Sequence, residues 1–309
     1  MTNINELKIA VLIPCFNEEA TIERVVFDFK NALPNAVIYV FDNNSTDNSA
    51  EIARQAGAIV RYEYSQGKGH VVRRMFSDID ADIYLMVDGD DTYDASISLL
   101  LIETLVSGNY DLINCSRIAR NDLAYRFGHA FGNKAITKLI RIFFNAKTVD
   151  ILSGYKVFSR RFVKSFPVLS GGFEIETEIM IHALSLKMPI FEISGEYKER
   201  PDGSESKLRT YRDGFRIVWL IGFLLKEEKP FIFFGTIAVV LSLISVAVGT
   251  PVIIYYFETG LVPRLPTAIL AAGISILSIL ALAIGLILDA ISRGRREMKR
   301  LSYLSQKIF

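Results

Sequence analysis

At 309 residues and 34.7 kDa, the chain can form one large domain or two smaller ones around a buried core. Its 35 basic and 34 acidic residues leave a net charge of +1, so no global basic excess points to nucleic acid. Half the residues are apolar and the mean hydropathy is +0.29. This excludes a disordered chain and a collagen, and argues against a purely cytosolic enzyme, because the apolar excess is concentrated in one region. Within residues 231–288 only Glu258 and Arg264 are charged, while the rest of the chain has an ordinary soluble composition.

The first residues carry no basic segment followed by an apolar one, so no cleaved signal peptide is expected. An apolar run at 9–13 predicts a buried strand, and 18–31 a helix with Ile22, Val25, Val26 and Phe29 on one face. Strands are then predicted at 37–41, 59–62 and 83–87, separated by helices at 48–56 and 71–79, with a further strand at 112–115. Strands alternating with helices predict an α/β fold with a mainly parallel sheet, in which ligands bind at the carboxyl ends of the strands. Cys15 and Cys115 lie far apart beside apolar runs and read as reduced core residues. His70, His129 and His182 lack metal-ligand spacing and read as structural.

Residues 231–257 and 265–288 are uncharged, and each exceeds the roughly 20 residues that cross a bilayer. They predict a hairpin of two transmembrane helices. The 258–264 connection holds one basic residue, Arg264, against six before the first span and six after the second. Both termini are therefore expected on the cytoplasmic side. Basic and aromatic residues at 207–229 suggest an amphipathic helix lying at the membrane interface.

The polar groups at the strand ends carry the chemistry. Asp88, Asp90 and Asp91 follow an apolar strand, and three such close carboxylates repel unless a cation sits among them. Hard oxygen donors suit Mg²⁺ or Mn²⁺, with substrate phosphates completing the shell. Asp42 ends another strand and can accept a hydrogen bond from a base N–H edge. Gly67-Lys68-Gly69 could bring backbone and an ammonium to a phosphate, although its spacing fits neither a P-loop nor a G-x-G-x-x-G turn.

In combination these blocks resemble the family 2 glycosyltransferases with the GT-A fold, specifically the polyprenyl-phosphate sugar synthases typified by dolichyl-phosphate mannose and glucose synthases. Ile13-Pro14-Cys15-Phe16-Asn17-Glu18-Glu19 is similar to their P-x-Y/F-N-E strand end, and Asp88-Gly89-Asp90 to the D-x-D metal motif. Asp42 matches the base-contacting Asp, with Asn44 nearby. Asp150 with Ser153-Gly154-Tyr155-Lys156 resembles a D-x-x-S-G-F-R block in which Tyr155 replaces Phe and Lys156 replaces Arg. Gly172 to Glu176 resembles an F-x-x-E segment, and Arg200 to Lys207 the R-x-x-G-x-S-K block that contacts phosphate.

The resemblance implies a GT-A domain over residues 1–206, the interfacial helix at 207–229, two spans within 230–288 and a basic cytoplasmic tail at 289–309. It implies inverting transfer of a hexose from a nucleotide diphosphate sugar to undecaprenyl or dolichyl phosphate, with UDP-glucose as the preferred donor and GDP-mannose as the alternative. Donor binding falls to Pro14, Phe16, Glu18, Asp42, Asn44, Lys68, Asp88, Gly89 and Asp90, and the metal to Asp88, Asp90 and Asp91. The acceptor phosphate falls to Arg117, Arg126, Arg200, Ser206 and Lys207, with Asp88, Asp90, Arg200 and Lys207 as the catalytic set. A lipid phosphate is already mostly dianionic at neutral pH, so it needs cations rather than a general base. The expected partners are the nucleotide sugar, the lipid and the membrane, with no nucleic acid and with room for a homo-oligomer. A processive polysaccharide synthase is the rival enzyme, but its Q-x-x-R-W signature is missing, since the sole tryptophan, Trp219, follows Arg216-Ile217-Val218. A non-catalytic membrane scaffold is the rival of another class.

Overall fold

The computed structural model describes residues 4–119, 150–172, 174–198, 222–223 and 226–309. Two compact units divide the chain. The first comprises Met1–Gly214 with Lys299–Phe309, and the second Phe215–Met298.

Seven strands form the sheet of the first unit: β1 (Ile9–Cys15), β2 (Val37–Asp42), β3 (Ile59–Tyr62), β4 (Ile83–Met86), β5 (Leu112–Ala119), β6 (Lys156–Ser159) and β7 (Ile190–Tyr197). Their spatial order is β3-β2-β1-β4-β6-β5-β7. The first four are mutually parallel, β6 runs antiparallel to both neighbours, and β5 pairs in parallel with β7. This is the expected α/β architecture with a mainly parallel sheet. The chain steps outward from β1 through β2 to β3, then crosses back to place β4 on the other side of β1. That reversal leaves a crevice outside the carboxyl ends of β1 and β4, the position at which open α/β sheets bind ligands.

The helices cover both faces. On one side, α1 (Ile22–Ala32) packs against α2 (Ser49–Gln55) and α4 (Ser98–Ser107); on the other, α3 (Lys68–Asp78) packs against α5 (Arg160–Ser165) and α6 (Ile175–Ser185). Alternation along β4 feeds both layers. Ile83 and Leu85 join the α1 side with Val25, Val26 and Phe29. Tyr84 meets Phe76, whose ring in turn packs edge-on against Phe158 and Phe166. Cys15 and Cys115 are free and buried in this core, and burial pushes the Cys115 thiol up to about 12.

Two helix starts differ from expectation. The predicted 18–31 helix begins at Ile22, because Asn17 takes a left-handed φ of 51° and Glu18 to Thr21 form a turn. The predicted 71–79 helix begins earlier, at Lys68, where Gly67 with φ 132° lets the chain turn directly into the first helical residue.

The second unit contains α7 (Pro230–Thr259) and most of α8 (Leu265–Ser305). Both helices are long and apolar enough to cross a membrane. Small residues contribute to their contact, as in helix pairs that pack without a hydrophobic drive. Ser245 Oγ donates to the Ala271 carbonyl and Ser278 Oγ to the Ala238 carbonyl, each at 2.7 Å, and Gly249 sits against Ala271. The basic 289–309 segment is helical to Ser305, and its last part, Lys299–Phe309, belongs to the first unit. The 207–229 interfacial helix lies almost wholly outside the described residues.

Candidate active site

Three loops meet at the crevice. The loop after β1 is stitched to the loop after β2: Asn17 N–H donates to Ser45 Oγ, Thr46 N–H to Asn17 Oδ1, and Glu18 N–H to Ser49 Oγ at 2.7 Å. The loop after β4 is tied to the same corner, because Thr21 Oγ1 donates to the Gly89 carbonyl at 2.7 Å. Gly89 leaves room for the Glu18 carboxylate, which a Cβ at that position would strike. Pro14 is buried inside β1, where it shapes the strand end, and Phe16 and Glu18 are half-buried at its mouth.

Asp42 closes β2 and is 4% exposed. Ser45 N–H donates to its Oδ2 at 3.2 Å. Its Oδ1 is buried with no hydrogen-bond partner among the described residues. Such an atom is costly to leave unmet, and functional sites are where proteins tolerate it. Asn44, with φ 62°, turns its amide to the Tyr64 carbonyl at 2.7 Å and so fixes the loop after β3. Asn43, which the sequence did not mark, does more of this work. Its Nδ2 donates to the Glu63 and Ser65 carbonyls, both at 2.8 Å, and its Oδ1 accepts from Gly67 N–H at 2.7 Å.

The acidic turn after β4 splits in two. Asp88 is 2.5 Å from Lys68 Nζ and packs against Gly154, where a Cβ would collide with its carboxylate. Asp90 is buried and accepts from Thr92 Oγ1 at 2.6 Å. Asp91 takes φ 55° and approaches Arg24 Nε of α1 at 3.4 Å; burial raises its carboxyl above the usual range, with Arg24 opposing. The expected trio of metal carboxylates is not assembled, because the left-handed backbone at Asp91 sends its side chain to Arg24. Among the described residues no three acidic, histidine or cysteine side chains gather at one point.

Lys68 reaches two carboxylates, with its Nζ also 2.5 Å from Glu176 Oε1. Burial opposes its charge, but Asp88 and Glu176 outweigh that and hold the proton well above the usual lysine range. Glu176 was not among the expected site residues. It stood inside the F-x-x-E block, but only the fold brings α6 beside the start of α3.

Arg117, expected to grip the acceptor phosphate, presents its fork to Asp150 instead: Nε to Oδ2 at 2.6 Å and Nη2 to Oδ1 at 2.9 Å. The Tyr197 ring lies 5.5 Å from its guanidinium carbon. Much of the S-G-Y-K block is internal scaffold. Ser153 Oγ donates to the Cys115 carbonyl and Gly154 N–H to Tyr93 Oη. Lys156 is fully buried and donates to Asn114 Oδ1, and burial pushes its ammonium down to about 8 against the pull of Asp150 and Glu176. Arg126, Arg200, Ser206 and Lys207 lie outside the described residues, as does His129.

Comparison with known proteins identifies the family. Residues 10–166 match the family model described as glycosyl transferase family 2. Glycosyltransferase AglJ of Haloferax volcanii is 32% identical over 96% of this chain and 98% of its own length. A dolichyl-phosphate hexose transferase of the same organism is 25% identical over 74% of this chain and 99% of its own. In fold, the chain is similar to glucosyl-3-phosphoglycerate synthase from Mycobacterium tuberculosis, with TM-score 0.57 and 22% identity over 72% of this chain and 79% of that one. A match across half the chain, a relative matched almost end to end and a shared GT-A-like sheet converge on one assignment: the chain belongs to glycosyltransferase family 2.

Proposed function

We propose that the protein transfers a hexose, with inversion, from a nucleotide diphosphate sugar to a polyprenyl phosphate at the cytoplasmic face of a membrane. The observation that carries the donor half is Asp42. Its buried Oδ1, without a hydrogen-bond partner among the described residues, stands at the carboxyl end of β2, where a base N–H would satisfy it. UDP-glucose is the preferred donor, and the Mycobacterium tuberculosis synthase of similar fold is described with Mn²⁺ and UDP-glucose. GDP-mannose offers an equivalent N–H and is the alternative.

The acidic turn fits a divalent cation in its donor chemistry. Asp88 and Asp90 supply hard carboxylate oxygens, and Mg²⁺ or Mn²⁺ takes one or two carboxylates and completes its shell with substrate phosphates. When bound, such a cation offsets the negative charge that develops on the leaving diphosphate. The chain's own groups do the rest. Asp42 orients the base, Glu18 and Gly89 shape the floor, and Lys68 places an ammonium where the diphosphate would lie. Proximity and fixed charge of this kind are what a single displacement at an oxocarbenium-like carbon requires.

The acceptor half is supported by the two membrane-grade helices and by the relative named as a dolichyl-phosphate hexose transferase. A lipid phosphate dianion attacks without a general base, so cations must hold it against an anionic donor. Arg200 and Lys207, with Ser206 and Arg126, are assigned to that task, and Arg117 orders the adjoining wall through Asp150.

The test is a transfer assay with the purified full chain, Mg²⁺ or Mn²⁺, a polyprenyl phosphate and radiolabelled UDP-glucose or GDP-mannose. Label is expected in the lipid fraction, dependent on added metal. No lipid label with either donor would sink the proposal and leave the scaffold reading standing.

A further inference from the structure

Lys68 and Glu176 are among the least exposed charged side chains at the crevice, at 10% and 6%. One ammonium is held between two carboxylates, each at 2.5 Å. A Lys68–Asp88 pair alone would already be charge-balanced. Glu176 adds a second carboxylate to the same ammonium, with the buried Lys156 charge also acting on it.

The surrounding backbone is arranged to keep this geometry fixed. Side chains at Gly67 or Gly69 would strike the Gly171 and Ser170 carbonyls, so the start of α3 lies flat against the 168–171 loop. That loop is held by Glu178 of α6, which accepts from Leu169 N–H at 2.8 Å and Ser170 N–H at 2.7 Å. Arg73 of α3 donates to the Val168 and Leu169 carbonyls from the other side. Val168 takes φ 46°, a strained value for a β-branched residue, and such strain persists only where the surroundings impose it. The first turn of α6 therefore controls both the Lys68 ammonium, through Glu176, and the loop on which the Lys68 backbone rests, through Glu178.

We propose that Glu176 is a positioning residue for the donor diphosphate, acting through Lys68. It gives the ammonium a partner of its own, so that Asp88 can turn to the donor and its cation without leaving Lys68 buried and uncompensated. An ammonium has three N–H donors, so Lys68 can hold Glu176 and still point at a phosphate oxygen. Without Glu176, Lys68 is drawn wholly onto Asp88 and competes with the donor for it. This inference rests on the donor-site reading above.

The experiment is calorimetric titration of UDP-glucose with Mn²⁺ into the full chain in detergent, or of GDP-mannose if the transfer assay selects it. The proteins are wild type, Glu176→Gln, Glu176→Asp, Lys68→Met and the Lys68→Met/Glu176→Gln double variant. Unfolding midpoints and steady-state kinetics accompany each. Glu176→Gln should weaken donor binding about ten- to a hundredfold, the range of a lost charge-assisted contact, and raise the donor KM while the lipid KM stays constant. Glu176→Asp should recover most of the affinity, and the double variant should bind no more weakly than Lys68→Met. Wild-type donor affinity in Glu176→Gln overturns the proposal. So do equal losses in Glu176→Gln and Glu176→Asp with a lowered unfolding midpoint, which would mark a purely structural residue. Wild-type protein that binds neither donor overturns the donor site itself, and this inference with it.

Discussion

His182 sits on α6 with neither ring nitrogen hydrogen-bonded among the described residues. Its ring packs against Phe162 at 5.6 Å and Phe166 at 5.0 Å. Burial, with the nearby Lys299 charge adding, pushes its pKa down to about 3 from 6.5. The folded-state value is depressed, so above pH 6.5 both states are neutral and the ring contributes its full packing. Below pH 6.5 the unfolded chain takes a proton that the folded one refuses, and stability falls by up to about 1.4 kcal/mol per pH unit toward pH 3. Unfolding midpoints measured from pH 8 to pH 4 should drop for wild type and drop less for His182→Phe, which keeps an aromatic ring there. Parallel curves would show that His182 is not the titrating group. At this scale the sequence showed which residues are polar but not what they touch. Asp88 and Asp42 were legible because each directly follows an apolar run and so must sit at a strand end. The ion pair of Arg117 with Asp150 was not, since 33 positions separate partners that only the pairing of β5 and β6 brings together.

Among the elements, the C-terminal end of α8 has the least expected role. Asp111, the residue before β5, is fully buried. Ser159 Oγ donates to it at 2.7 Å, Arg161 Nη2 at 2.8 Å and Tyr303 Oη at 2.7 Å. The Tyr303 ring is itself covered by the Arg161 and Arg300 guanidiniums, at 4.2 and 4.8 Å. A buried carboxylate that loses one of its hydrogen bonds, with Arg161 still donating to the same oxygen, loses about 1.5–3 kcal/mol. Tyr303→Phe should therefore lower the stability of the first unit by that order, read as a lower denaturant midpoint for loss of its secondary structure. An unchanged midpoint would mean the segment only rests on the surface. The sequence concealed this because 289–309 is rich in basic residues, and charge density reads as a solvated tail. The sheet itself was legible from buried apolar runs at β1, β2 and β4, which parallel strands require. The antiparallel insertion of β6 was not, because four buried residues carry no signal of direction.

At the scale of the whole molecule, the first unit is assembled from both flanks of the apolar hairpin, Met1–Gly214 and Lys299–Phe309. An even number of crossings returns the chain to the side it left, so two spans satisfy that connectivity and one would not. The distribution of basic residues sets which side this is. The turn between α7 and α8 holds only Arg264, against six basic residues ahead of the first span and six beyond the second. Basic residues close to the ends of spans are retained in the cytoplasm, so the turn should be outside and the first unit inside, the side that the proposed donor requires. Leu261 lies in this turn and is 65% exposed, and the native Cys15 and Cys115 are buried, so a single introduced thiol can report its position with little background. Leu261→Cys in intact cells should react with a membrane-impermeant maleimide added from outside, whereas Ser305→Cys at the end of α8 should react only after permeabilisation. The reverse pattern would invert the topology. It would also place the donor crevice on the face away from the nucleotide pool, and the proposed transfer could not then proceed as written.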